Sequence, residues 1–325
     1  MKSFPDTKSR KGRKMTFGRC HFNFLGVRSP EVSFYKDIPL YYQPSEMNFV
    51  LYKVPGVTLN NMRVANGLVP DNLYINQKDK IRGIQEAQKG FNQRLKEDIR
   101  SNRPEKVKET LVNIMEETLK EPRSGSLEGV SETVEILVSE YTKEPDVIRN
   151  LLFVSSKDYT TVLHSINVMA LVLGYAFYVS SSLAEKKVLG LSALLHDVGK
   201  TKIDTELLKA SRRLTDEEFK ELQRHTVLGF NILDNCKFGS SEVKLAALHH
   251  HERIDGSGYP NRITRISNIS QIVSFIDCYE ALTNDDRPYR RAMDPLKALE
   301  LIRNDVEAKK FNRNIFEKLA YSLTR

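Results

Sequence analysis

The sequence predicts a multidomain protein in which a small α+β N-terminal domain is followed by an all-α helical bundle. Three observations carry this reading. A chain of 325 residues, 40% hydrophobic and 28% charged, has the make-up of a globular protein with room for about two domains. Near residue 80 the apolar pattern changes from short β-rich segments to helical periodicity. From about residue 145 one apolar-periodic helix follows another.

Residues 1–20 read as a basic, disordered tail: Lys2, Lys8, Arg10, Lys11, Arg13 and Lys14 face only Asp6. No apolar segment follows them, so they do not read as a secretory signal. Residues 21–80 read as the α+β domain. Its strand candidates are CHFNFLGV, VSFYKDIPLYY, NFVLYKV and DNLYI, punctuated by Pro55-Gly56 and Pro70-Asp71. They hold no cluster of catalytic residue types, which suits a regulatory role. Residues 81–149 read as a helical connector, with a dimerising stalk or the first helices of the second domain as open alternatives: a charged amphipathic helix broken by Pro104, then helices over 105–121 and 131–143 separated by EPRSGSLEG. A homodimer formed through the N-terminal or connector region is an expectation from this stretch.

Residues 150–325 read as the bundle. DYTTVLHSINVMALVLGYAFYV is apolar, and the next helix runs from about Leu183 to Asp197 and ends in Gly199. Thr215 and Glu218 have capping-box spacing, opening a helix that carries FKELQRHTVLGFNIL. Further helices span Ser241 to about His251, closed by DGSGYP, and about Ile269 to Leu282.

Composition excludes several classes. Three scattered cysteines, Cys20, Cys236 and Cys278, make no disulfide framework, and a reducing cytoplasmic setting is expected. No apolar run approaches the roughly 18 residues of a membrane span. The net charge of +8 points to an anionic partner, but there is no Trp and no aromatic-basic repeat, so DNA or RNA is not expected.

Six of the seven histidines fall between 164 and 251. His164, His196, His225, His250 and His251 lie in or beside bundle helices, with Asp197 next to His196 and Asp277 in the apolar QIVSFIDCYEAL. Each alone has a bland explanation: a hydrogen-bonded core histidine, a cap, a helix end favouring positive charge. Together they do not, because a lone ionised Asp277 would be costly to bury. Imidazoles and carboxylates converging in a bundle make a ligand set for first-row transition metals, with iron, manganese and zinc equally suited. Seven candidate ligands exceed one site, and the two oxygens of Asp197 can serve two ions. Two ions roughly 3.5–4 Å apart suit phosphate-ester hydrolysis.

ALLHDVGK, HHERIDGSGYP and DCYEALTNDDRPYRRA, with HSINV and LTDEEFKELQRHTVLG in order before and between them, resemble the HD-GYP family of the HD phosphohydrolases over about residues 150–325. The resemblance implies an HD-type bundle and a phosphodiesterase whose substrate is a cyclic dinucleotide, best known as cyclic di-GMP cleaved to pGpG or GMP in bacterial signalling. It implies two divalent transition-metal ions (Fe, Mn or Zn), one held by His164, His196, Asp197 and Asp277, the other by His225, His250 and His251 with Asp197 shared. Lys200 would assist the leaving oxygen, making Asp197 and Lys200 the catalytic pair. Gly258, Tyr259 and Pro260 would shape the substrate pocket, and Arg287 and Arg290 would grip phosphate.

Two features depart from the family pattern. Where some members place an acidic third-metal ligand this chain has Thr160, with Asp158 on another face, so two ions are expected. NDDRPYR is one residue longer than usual, which bears on Arg287 and Arg290. Rival readings are a cyclic-dinucleotide sensor with little turnover, an HD-type hydrolase of another phosphate ester, and a structural metal staple.

Overall fold

Antiparallel pairing organises the N-terminal residues, and capped helices organise the rest. The computed structural model describes residues 23–27, 31–45, 48–59, 66, 68–70, 72–120, 126–141, 160–284 and 292–323. The chain divides into two units, Met1–Gly83 and Ile84–Arg325. The basic tail, Cys20 and Asp158 lie outside the described residues.

In the first unit, strands β1 (Phe24–Val27), β2 (Leu40–Ser45), β3 (Asn48–Lys53) and β4 (Leu73–Asn76) form one antiparallel sheet in the order β1-β4-β2-β3. Each expected segment contributes a strand, but VSFY does not pair. There the Phe34 N–H donates to the Glu31 carbonyl at 2.9 Å, closing a turn that buries Val32 and Tyr35. The apolar character of that segment reflects burial.

Among the helices, α1 (Lys80–Arg100), α2 (Pro104–Lys120) and α3 (Ser126–Tyr141) come first. Pro104 opens α2, where its missing N–H costs nothing. Helix α3 begins at Ser126, earlier than the expected 131. Asn92 on α1 donates to the Gly129 carbonyl at 3.3 Å and accepts from the Thr133 hydroxyl at 2.7 Å, tying α1 to α3. Helix α2 packs on α4 (Thr161–Tyr178) and α3 on α5 (Leu183–Leu195), so the stretch read as a connector is packed onto the bundle within the second unit.

Helix α4 is the core helix. Thr160 caps it, accepting from the Leu163 N–H at 3.3 Å, a contact worth about 1 kcal/mol. Its 18 residues have a mean hydropathy of 1.4, which corrects the expectation that no apolar run reaches that length. By length and composition it is apolar enough to cross a membrane, yet 78% of it is buried among the other helices. Apolar residues on every face of one helix are what a fully surrounded core helix requires.

Helix α5 opens with a capping box between Ser182 and Glu185 and is followed by a 3-10 turn over Val198–Lys202. Then come α6 (Thr205–Leu208), α7 (Asp216–Gln223), α8 (His225–Asn235), α9 (Ser241–His249), α10 (Asn268–Thr283), α11 (Pro295–Glu307) and α12 (Arg313–Leu323). The Thr215–Glu218 capping box is present, with the Glu218 N–H 3.2 Å from the Thr215 Oγ1. The single helix expected after it is divided at Arg224, which leaves His225 as the first residue of α8. A Cβ on Gly199 would overlap the His225 carbonyl and the Gly229 amide. The missing side chain is what lets the turn after Asp197 lie directly against α8.

Candidate metal centre

Helix ends deliver most of the candidate ligands. His196 caps α5 and Asp197 follows it; His225 starts α8; His250 caps α9 and His251 follows it. His164 lies in the first turn of α4, and Asp277 lies within α10. Backbone carbonyls near these ends then orient the rings. The Nδ1 of His196 lies 2.7 Å from the Ala193 carbonyl, that of His225 lies 2.6 Å from Leu222, and that of His250 lies 3.0 Å from Ala247. A carbonyl only accepts, so each Nδ1 carries the hydrogen and each Nε2 presents a lone pair.

Those Nε2 atoms surround the Asp197 carboxylate. Its Oδ1 lies 3.4 Å from His225 and 3.7 Å from His250. Its Oδ2 lies 3.3 Å from His196, 3.7 Å from His164 and 2.5 Å from the Lys200 Nζ. Asp277 Oδ1 sits 2.9 Å from His164 Nε2 and 4.0 Å from His196 Nε2. The His225 and His250 Nε2 atoms are 3.2 Å apart, and the His250 and His251 rings are 4.2 Å apart. Two sets of donor atoms could each hold a metal ion, His164 with His196 and Asp197, and His225 with His250 and His251. All seven sequence-selected ligands are thus brought together.

The donors fit a cation on a further ground. His196 Nε2 and Asp197 Oδ1 are buried without a hydrogen-bond partner. A stranded acceptor is costly in a protein interior, and each of these two faces one of the two donor groups, where a cation would satisfy it.

The two sides differ in charge. Burial opposes a proton on His164, but the Glu280 and Asp277 carboxylates outweigh it and push its pKa up to about 9. Burial takes His225 down to about 3, helped by Lys200 and His250 against Asp197, and also lowers His250 and His251. Asp197 is held well below the usual carboxylate range despite its burial, chiefly by Lys200 and His196. Burial also works against the charge on Asp277, yet His164 keeps it low. Neutral imidazoles with free lone pairs line one side. The other holds a proton between carboxylates.

The loop after His251 folds onto the centre. Gly256 adopts φ +79, and a Cβ on Gly258 would come within 2.5 Å of the Arg253 amide and the His251 carbonyl. Tyr259 stacks on His251 with ring centroids 4.6 Å apart. Gly258, Tyr259 and Pro260 line a cleft of about 570 Å³ that begins at His251. Arg287 and Arg290 lie outside the described residues.

A family model described as HD domain matches residues 147–315, more than half of the chain. The chain belongs to the HD domain family. A cyclic di-GMP phosphodiesterase of Pseudomonas aeruginosa is 33% identical over 171 residues, 52% of this chain and 41% of that protein. A 3'3'-cGAMP-specific phosphodiesterase of Vibrio cholerae is 32% identical over 166 residues, 50% of this chain and 38% of that protein. The chain therefore spans less than half the length of either relative. Among solved structures, an HDG"Y"P protein from Bdellovibrio bacteriovorus superposes with a TM-score of 0.63 at 17% identity, covering 93% of this chain and all of that one. That likeness speaks to the fold. The HD-GYP resemblance read from the sequence agrees with these findings.

The HD domain also contains site residues that sequence reasoning passed over. Glu280, buried on α10, accepts at 2.5 Å from His164 Nδ1 and at 2.9 Å from Asn167. Glu252, equally buried, accepts from the Asn261 and Ile263 amides at 2.6 and 3.2 Å and so anchors the GYP loop. The available signal was spacing: Glu280 stands three residues after Asp277, on the same face of one apolar helix.

Proposed function

We propose that this chain is a metal-dependent phosphodiesterase that hydrolyses a cyclic dinucleotide, with cyclic di-GMP cleaved to pGpG or GMP as the leading reaction, in cytoplasmic second-messenger signalling in bacteria. The observation that carries the reading is the Asp197 carboxylate, whose two oxygens face two different histidine groups. We assign one divalent ion to His164, His196, Asp197 and Asp277, and a second to His225, His250, His251 and the shared Asp197. Such ions supply Lewis acidity toward a phosphoryl group and lower the pKa of water.

The chain's own residues do the rest. Buried carboxylates and oriented imidazoles fix the donor positions before substrate arrives, so no reorganisation is needed at the reacting phosphorus. Lys200, with Nζ 2.5 Å from Asp197 Oδ2 and its side chain 22% exposed, holds a proton at the edge of the centre for the departing oxygen. Tyr259 on His251 walls the approach on one side.

The relatives named for cyclic di-GMP and for 3'3'-cGAMP support the substrate class and leave the bases to experiment. The test is hydrolysis of both dinucleotides by protein loaded in turn with iron, manganese and zinc, with products separated by chromatography. Multiple-turnover release of linear dinucleotide or mononucleotide supports the reading. Tight binding without release favours the sensor reading instead.

A further inference from the structure

Beyond the metal-binding residues, the cleft that starts at His251 and Tyr259 is lined by features the hydrolytic chemistry leaves unused. Phe219, on α7, is 46% exposed and meets the Tyr259 ring edge-on at 6.2 Å. A single exposed Phe is ordinary, but this one shares the cleft with Val227, itself 41% exposed. The surrounding charge is lopsided: Lys220, Arg224, Arg253, Arg262 and Lys310 line the cleft against one carboxylate, Asp305. Some of these cations are occupied. Lys310 pairs with Asp305 at 2.9 Å, Arg224 with Glu221 at 2.7 Å, and Arg253 donates to the Ser274 Oγ at 2.8 Å. Lys220 and Arg262 are exposed and make no ion pair among the described residues.

Rings that accept a flat partner, ringed by cations, are the chemistry of a nucleotide site: every base has a π-face, and each phosphate seeks a cation. A volume of about 570 Å³ lies within the usual range of ligand pockets. The cleft shares His251, on which Tyr259 stacks, with the candidate metal centre.

We propose that this cleft is a subsite for one nucleotide unit of the substrate, with the base against Phe219 and Tyr259 and its phosphate between Lys220 and Arg262. The proposal rests on the cyclic dinucleotide reading and adds to it the residues that select a substrate with bases over a plain phosphodiester. It makes Phe219 and Arg262 specificity-determining.

The test compares the metal-loaded full chain with Phe219→Ala and Arg262→Ala on two substrates, cyclic di-GMP and the base-free diester bis(p-nitrophenyl) phosphate. Both side chains are exposed, and equal metal content and equal melting temperature verify the fold. The ratio of kcat/KM for cyclic di-GMP to that for bis(p-nitrophenyl) phosphate falls about tenfold in Phe219→Ala, the scale of one lost base stack, and the fall appears in KM. An unchanged ratio in both variants overturns the subsite. If the wild type cleaves bis(p-nitrophenyl) phosphate and no cyclic dinucleotide, the substrate reading fails by itself. Equilibrium dialysis with GMP then decides the cleft: weaker binding by Phe219→Ala sustains it, and equal binding overturns it.

Discussion

Glu280 Oε2 lies 2.5 Å from His164 Nδ1, and its other oxygen accepts from Asn167 at 2.9 Å and Asn284 at 2.5 Å. A carboxylate so held fixes the ring of His164 and raises its basicity toward a cation on Nε2. Glu280→Gln keeps the shape and removes the charge. Metal affinity or turnover is expected to fall by about 10- to 100-fold, with a thermal melt that shows the fold retained. Metal titration of the metal-stripped protein measures it, and an unaltered affinity would remove Glu280 from the site.

Metal uptake is expected to be proton-linked through the same histidine. In the metal-free protein His164 holds its proton up to about pH 9, against roughly 6.5 when unfolded. A folded-state pKa above the unfolded value stabilises the metal-free fold fully below about pH 6.5, and that contribution is lost as pH rises through about 9. A cation on Nε2 displaces the proton, so metal affinity rises with pH across this window. Calorimetry in buffers of different ionisation enthalpy detects the released proton, and pH-independent affinity with no release contradicts the assignment.

Gly199→Ala tests how the turn after Asp197 is seated. The added methyl would overlap the His225 carbonyl, so the turn and α8 must separate, at a cost of about 1–3 kcal/mol. Lower melting temperature and lost metal are expected together, because the same displacement draws Asp197 from His225. Full metal content with a native melt would show that the close approach is dispensable.

Glu252→Ala tests the loop anchor. Removing the carboxylate takes the acceptor from the Asn261 and Ile263 amides, a loss of about 1 kcal/mol for each hydrogen bond. The loop carrying Tyr259 loosens, and KM for the cyclic dinucleotide rises more than kcat falls. Steady-state kinetics separate the two, and a change confined to kcat would place Glu252 in the chemistry instead.

The residues most legible in sequence were those whose type is costly without a partner. Six histidines in one stretch and a carboxylate in an apolar helix pointed to a candidate cation site, and the structure brings His164, His196, Asp197, His225, His250, His251 and Asp277 into one cluster. Caps were legible too, since Thr215 and Glu218 declare themselves by local spacing. What lay beyond reach depended on tertiary contact. VSFY has strand composition but turns, because burial of Val32 and Tyr35 satisfies it equally well. The division at Arg224 leaves the apolar period unbroken and changes only where α8 starts. Glu280 was missed because its partner, His164, is 116 residues away.

The central claim is that one carboxylate, Asp197, serves two metal ions. Metal content per chain, measured by mass spectrometry on anaerobically purified wild type and on Asp197→Ala alongside cyclic di-GMP hydrolysis, tests it most directly. The account predicts two ions per wild-type chain, loss of metal from both positions in the variant, and no turnover. One ion per wild-type chain, or an Asp197→Ala protein that hydrolyses cyclic di-GMP at the wild-type rate, would contradict it.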